Sequence, residues 1–414
     1  KNQLILIMNF SQFISRRIWS NNFSSFSLFI SRIAIGGIVL GVTIILLSYF
    51  ILNGFKNEIK DNVYSFSGHF NISKYTGKFS YKDNPLDLNI GLSSQLEKID
   101  YVKHFQSYIL SPILIKSNSE DIEGVIFKGI DKNFNSNLFK NKIIEGNWID
   151  YESDNEYSNE IVISKNLKKN LNAEIGDDVF LYFANNPPVY RKLKLKGVFE
   201  TGMQEFDNNF IFGDIVLLRK IFNWDNTLVS GVEVFVENQD DLELNYNDLK
   251  SKATFDEFIE KTDIKYIQVF DWLKLLDRNI LIFFTLILLV ASFNMISILL
   301  ILIMERIRMI GILKALGSNN NQIKNIFLYN GLRVITLGLF LGNLISISLA
   351  VFQDKFKILK LDKTSYYMDY VPIGWDLYTL SKLNLLVFFV IFLVVFLPIL
   401  IINRIKVLDS IKFS

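Results

Sequence analysis

Four uncharged runs, Ile33–Phe55, Asn279–Met304, Val334–Gln353 and Leu383–Asn403, fix most of what this chain can become. A hydrocarbon core about 30 Å thick takes roughly 20 helical residues to cross. Backbone in lipid must satisfy its own hydrogen bonds, so each run is expected as a membrane-spanning helix. The 50% hydrophobic content and mean hydropathy of +0.26 agree, being too apolar for a soluble domain of 414 residues. The first run is longer than the apolar core of a signal peptide and reads as a retained span. Met8, followed by a polar amphipathic stretch, is a candidate initiator.

Charge is sorted by segment. Residues 56–278 hold 27 Lys and Arg against 36 Asp and Glu, although the whole chain has a net charge of only +2. The short segments outside carry Lys1, Arg16, Arg17, Arg32, Arg306, Arg308, Lys314, Lys324, Arg333, Arg404, Lys406 and Lys412, opposed by Glu305 and Asp409. Basic residues near span ends stay on the cytoplasmic side. Residues 1–32, 305–333 and 404–414 are therefore expected inside, with 56–278 and the loop 354–382 outside. The expected fold class is a polytopic α-helical membrane protein with a large α+β extracytoplasmic domain between its first and second spans.

Within that domain, 123–130, 178–183, 192–199 and 231–237 have strand character, rich in Val, Ile and Phe with partial alternation. A helix is expected from an N-cap at Ser164 to near Gly176, and another over about 246–261, with Leu249, Phe255 and Phe258 as its apolar positions. The length leaves room for two subdomains. No internal repeat is evident.

The inventory of reactive groups argues against catalysis. Cysteine is absent, so there is no thiolate nucleophile or disulfide framework. The two histidines, His69 and His104, stand in different segments without metal-site spacing. The acidic stretch Asp150, Glu152, Asp154, Glu156 and Glu160 lacks the Gly and terminal Glu of a calcium loop and reads as solvated surface. No Gly-x4-Gly-Lys-Ser/Thr phosphate loop occurs, so the chain is expected neither to hydrolyse ATP by itself nor to carry a cofactor of its own. Nothing in it points to nucleic acid.

The cytoplasmic connection 305–331, ERIRMIGILKALGSNNNQIKNIFLYNG, is the most structured of the remaining features. Arg306 to Leu316 is expected as a helix with Met309, Ile310, Leu313 and Leu316 on one stripe, stopped by Gly317. Ser318 or a neighbouring Asn would cap the next helix. A short apolar face flanked by Arg306, Arg308 and Lys314 suits a partner's groove. It suits the surface of an anionic bilayer equally well.

On the outside, Ala184-Asn185-Asn186-Pro187-Pro188-Val189-Tyr190-Arg191 lies between two expected strands. Adjacent prolines remove backbone donors and stiffen the chain, so a protruding loop is expected. In the first span, Gly36, Gly37 and Gly41 permit close helix approach. The same glycines could instead line a lipid-accessible cavity against the second span, with Phe283, Phe284, Phe293 and Met295 facing acyl chains. Asn294 is the one strongly polar side chain deep in the second span and needs a partner.

The stretch 305–317 with the following IFLYNG resembles the signature of the FtsX/MacB superfamily of permeases, and of its lipoprotein-releasing (Lol) ABC transporter permeases in particular. SRRI at 15–18, NGF at 53–55, SGHF at 67–70, GVFETGMQEFDNN at 197–209, Pro398, Arg404 and Ile411-Lys412-Phe413 extend the likeness over almost the whole chain. Val407 departs from it, standing where a proline is common.

The resemblance implies a permease in the bacterial inner membrane, working with a cytosolic ABC ATPase that carries ATP and Mg. It implies a second permease copy or paralogue, membrane lipids, an acylated lipoprotein substrate and a periplasmic lipoprotein carrier as further partners. By position, Met309, Ile310, Leu313 and Leu316 would fill the ATPase groove, with Glu305, Arg306 and Lys314 at its rim and Gly311 and Gly317 permitting close approach and a stop. Asn185, Asn186, Pro187, Pro188, Val189 and Tyr190 would form the carrier-docking loop, which only one permease of a paired system uses. Two related readings stand beside this one: an FtsX-type regulator of a cell-wall hydrolase, whose ectodomain is smaller, and a MacB-like exporter, which carries its ATPase on the same chain.

Overall fold

The computed structural model describes residues 11–15, 25–75, 84–117, 121–134, 142–151, 157–184, 187–362, 366, 368–400 and 402. They form two compact units. One comprises 1–56, 273–359 and 371–414, and the other 57–272 and 360–370.

The helical unit is built on four helices long and apolar enough to cross a membrane. They are α1 (Ser25–Ser67), α7 (Ile267–Glu305), α9 (Asn320–Phe356) and α10 (Leu377–Leu400), with the short α8 (Ile307–Ala315) between the second and third. Each contains its expected apolar run or most of it. α1 and α7 continue well beyond theirs, because the flanking residues still favour helix once the chain leaves the lipid-compatible stretch.

The bundle interior holds Ile38, Val42, Leu46 and Phe50 of α1, Met295, Leu299 and Ile303 of α7, Ile323, Val334 and Ile335 of α9, and Val387, Ile391 and Val395 of α10. Lipid gives no hydrophobic drive for helix association, so tight packing and polar contacts must supply it. Two glycines of α9 do so: a Cβ at Gly338 would meet Ile38 Cγ2 at 2.6 Å, and one at Gly342 would meet Val42 Cβ at 2.8 Å. Asn343 and Asn384 exchange side-chain hydrogen bonds at 2.6 and 2.9 Å between α9 and α10. Lys56 Nζ pairs with Asp277 at 2.6 Å, near the far ends of the first two apolar runs.

The sheet unit contains β1 (Phe70–Lys74), β2 (Leu86–Asp87), β3 (Val102–Lys116), β4 (Ile122–Ile130), β5 (Ile143–Gly146), β6 (Glu160–Ser164), β7 (Asp178–Phe183), β8 (Val189–Phe199), β9 (Phe210–Asp214), β10 (Leu228–Val229), β11 (Gly231–Val236) and β12 (Glu257–Lys261). Its short helices are α2 (Lys165–Asn170), α3 (Gln204–Asp207), α4 (Ile215–Phe222), α5 (Leu242–Lys252) and α6 (Thr262–Lys265).

Ten of the strands form one sheet, in the order β12-β1-β11-β3-β4-β9-β6-β8-β5, with β7 pairing both β3 and β8. The path β3-β4-β9-β6-β8-β7 therefore returns to β3, closing six strands into a ring. The long β3 serves both parts: Val102–Tyr108 pairs with β11, and Ile113–Lys116 with β7. Its core includes Ile113, Val125, Phe127, Ile161, Val179, Leu181, Leu195 and Ile211.

All four expected strands are present. Ser164 caps α2, its hydroxyl accepting from Leu167 N at 3.1 Å, although the helix stops at Asn170. The expected helix over 246–261 is corrected. Helix α5 ends at Lys252, and Glu257–Lys261 is strand β12, paired with β1. Leu249 is buried, but Phe255 is 97% exposed and Phe258 points outward, so the apolar period of a helix does not continue past Ala253.

Candidate functional site

Helix α8 follows the sequence expectation closely at its ends. Gly317 adopts φ +90°, a left-handed conformation that favours glycine and stops the helix. Asn319 then opens α9 with a capping box: its side chain takes the N3 backbone N–H, and Asn319 N donates to Gln322 Oε1 at 3.0 Å.

The exposed face of α8 differs from the expected stripe. Ile310 and Gly311 are buried, and Met309 and Leu313 are half-buried against the bundle core. Lys314 Nζ turns inward to Ile402 O at 3.1 Å. The residues left outside are Arg308, Ile312 at 50% and Leu316 at 77% exposure, spaced four apart on one helical face, with Glu305, Ala315 and Gly317 also exposed. Of the four expected groove-filling residues only Leu316 faces out, and Arg308 and Ile312 join it. The reason is that a short helix held against a bundle spends one apolar stripe on that bundle. Periodicity finds the stripe but not the surface it meets.

The β7–β8 hairpin carries the expected loop. Pro187, Pro188 and Tyr190 are exposed, Val189 is half-buried, and Tyr190 stands opposite Tyr182 with ring centroids 6.2 Å apart. Asn185 and Asn186, like the tail 404–414, lie outside the described residues.

Between α1 and α7, the Asn294 amide occupies the place a Cβ at Gly37 would take, and a Cβ at Gly41 would meet Ile287 Cγ2 at 3.6 Å and Ala291 Cβ at 3.9 Å. These two glycines serve close packing, while Gly36 opens to no neighbour within 4 Å. Phe283 and Phe293 are exposed on the outer surface, and Phe284 packs partly against the core. Met295, expected to face acyl chains, is 1% exposed and packs in the bundle core, where its methyl lies 3.6 Å from the place of a Cβ on Gly331.

In the sheet unit, the 197–209 segment is a structural clasp. Asp207 accepts from Thr201 Oγ1 at 2.7 Å, Thr201 N at 3.0 Å and Gly202 N at 3.1 Å, while its backbone carbonyl takes the Ser164 hydroxyl. Burial pushes its carboxyl above the usual range. His69 Nδ1 accepts from Val236 N at 3.2 Å, and its ring stacks on Tyr64. Burial, with Lys103 nearby, pushes the imidazole down to about 4 and keeps it neutral. Among the described residues, no group of three or more His, Cys, Asp and Glu could hold a metal ion.

Two family models match the chain: the MacB-like periplasmic core domain over residues 31–251 and the FtsX-like permease C-terminal over 281–407. An uncharacterized membrane protein of Buchnera aphidicola subsp. Schizaphis graminum is 26% identical over 353 residues, covering 82% of each chain. The lipoprotein-releasing system transmembrane protein LolC of Neisseria meningitidis serogroup B is 24% identical over 372 residues, covering 86% of this chain and 87% of its own. The lipoprotein-releasing system transmembrane protein LolE of Haemophilus influenzae is 22% identical over 369 residues, covering 83% and 84%.

Proposed function

Because the chain belongs to the family of permeases that join a MacB-like periplasmic core domain to an FtsX-like permease C-terminal, we propose that it is the membrane subunit of an ATP-driven transporter releasing lipoproteins from the inner membrane. The observation that carries this reading is the extent of the likeness to lipoprotein-releasing relatives, which takes in both units and more than four-fifths of each chain in the two cases above.

In this reading both termini and α8 are cytoplasmic and the sheet unit is periplasmic, the orientation set by the basic flanks. A separate ATPase, with its own ATP and Mg, docks on the Arg308–Ile312–Leu316 face of α8. A second permease copy or a paralogue completes the membrane pore. The acylated substrate enters from the outer leaflet beside α1 and α7, where Phe283 and Phe293 face outward. Withdrawing acyl chains from lipid costs about 0.8 kcal/mol per methylene, which calls for an ATP-powered step. The substrate then passes to a periplasmic carrier at the Pro187-Pro188 turn.

Charging the exposed face of α8 tests the reading. Ile312→Glu with Leu316→Glu is expected to abolish ATPase copurification and lipoprotein release together while leaving the protein in the membrane. Release at the unaltered level would overturn it.

A further inference from the structure

Helix α7 packs on the bundle along only part of its length. Ala291, Ser292, Met295, Ile298, Leu299 and Ile303 are buried, whereas from Lys274 to Val290 no residue is. The half-buried residues of that stretch, Leu276, Ile280, Phe284, Ile287 and Leu288, lie on one helical face at three- and four-residue spacing. At the boundary between the two parts Ser292 Oγ donates to Leu288 O at 2.7 Å, a back-bond that slightly weakens a helix and favours a bend.

The neighbouring α1 is held over the matching length. Ile38, Val42, Leu46 and Phe50 are buried. Beyond them a Cβ at Gly54 would meet Pro372 O at 2.6 Å, and Gly374 N donates to Phe50 O at 2.9 Å, so the connection before α10 grips this end of α1. Of the two helices α7 is therefore the one with freedom to move. What ties its end to α1 is an ion pair: Lys56 Nζ lies 2.7 and 2.6 Å from Asp277 Oδ1 and Oδ2, just past the ends of both apolar runs.

The length of the loosely packed stretch matches one leaflet. The part of the apolar run without a buried residue, 279–290, rises about 18 Å at 1.5 Å per residue. One leaflet contributes ~15 Å of a hydrocarbon core about 30 Å thick. In the orientation of the proposed function this is the outer leaflet, which holds the acylated substrate, and the ion pair stands at the level of its headgroups.

We infer that Lys56 and Asp277 form a latch on the substrate's way in. Closed, the pair holds α7 to α1. Parted, it lets the loosely packed half of α7 swing about Ser292 and opens a slot one leaflet deep, through which acyl chains slide in sideways. The inference rests on the proposed lipoprotein-releasing function and adds the step that admits the substrate. Asp277 is 51% exposed, so water and headgroups compete for both charges and the pair is weak enough to part thermally.

The chain has no cysteine, so introduced thiols are its only labelling sites. Spin labels on Ile51→Cys with Leu281→Cys, both exposed positions, read the distance across the slot, and labels on Ile33→Cys with Ile301→Cys read the packed half. The test uses the full chain in nanodiscs, labelled protein being diluted with unlabelled. Lys56→Met is expected to raise the population at longer distance across the slot about fivefold, the factor equivalent to the ~1 kcal/mol of an exposed ion pair, and to leave the distance in the packed half unchanged. Lys56→Asp with Asp277→Lys should restore the short distance. Bridging Lys56→Cys to Asp277→Cys with a cleavable bifunctional thiol reagent should stop lipoprotein release while ATPase copurification persists, and cleaving the bridge should restore release.

Unchanged distances in Lys56→Met would overturn the inference, as when a second permease rather than the ion pair holds α7 in place. Normal release by the bridged protein would overturn it too. The distances are read without ATP, ATPase or substrate, so an unaltered transporter that fails to release lipoproteins would sink the proposed function and leave the latch to be decided by the spin labels.

Discussion

Lys128 Nζ lies 2.6 Å from Glu233 Oε1, with the two side chains only 2% and 3% exposed. The amine also donates to Phe66 O at 2.7 Å, near the C-terminal end of α1, and Gln106 Nε2 donates to Glu233 Oε2 at 2.8 Å. Burial pushes the Lys128 amine below its usual range, with Glu233 opposing the shift. Removing one partner leaves the other charge buried and alone, at a cost of about 3–5 kcal/mol. Lys128→Met is therefore expected to lower the thermal midpoint of the sheet unit sharply. Lys128→Met combined with Glu233→Leu should recover most of the loss, as followed by tryptophan fluorescence of the full chain.

His69 makes the sheet unit sensitive to acid. Its imidazole titrates near 4 when folded, against about 6.5 when unfolded, so between those values the unfolded chain binds the extra proton. The stabilisation is complete above pH 6.5 and is lost as the pH falls toward 4, by about 3 kcal/mol in all. Unfolding measured from pH 7.5 to 4.5 should show a smaller acid loss in His69→Gln than in the unaltered protein. Equal slopes would mean that other groups carry the effect.

Gly338 and Gly342 set the approach of α9 to α1. A leucine at Gly342 would have to displace Val42 and the nearby Val39 carbonyl, which lies 3.2 Å from the place of its Cβ. Overpacking of a tight core costs about 1–3 kcal/mol. Gly342→Leu is expected to lower the detergent midpoint of the full chain, and Gly36→Leu, at a glycine without neighbours within 4 Å, to leave it nearly unchanged.

The membrane part of the fold was legible because lipid imposes a length and a ban on charge that any reader of the chain can see. The strands of the sheet unit were legible where Val, Ile and Phe alternate. The ring closure was not, because it depends on β3 changing partner from β11 to β7 along its length, a non-local choice that no local pattern encodes. The segment 253–261 misled because Phe255 and Phe258 have helical spacing yet both are exposed.

At α8 the helix, its glycine stop and the following cap were readable, while the outward face was not. Ile310 and Ile312 are the same residue type two positions apart. Only the packing of the bundle decides that the first is buried and the second exposed. The exposed pair Leu114 and Tyr182 escaped notice for a related reason. The two are far apart in sequence and become neighbours only through strand register.

The central claim is that the outward face of α8 couples a separate ATPase to lipoprotein release. The most direct measurement compares Leu316→Glu, on that face, with Lys324→Glu on α9, scoring ATPase copurification and lipoprotein release in the same membranes. Leu316→Glu is expected to lose both by at least about tenfold, the effect of roughly 1.4 kcal/mol at an interface anchor, and Lys324→Glu to retain both. Normal copurification and release with Leu316→Glu would contradict the account.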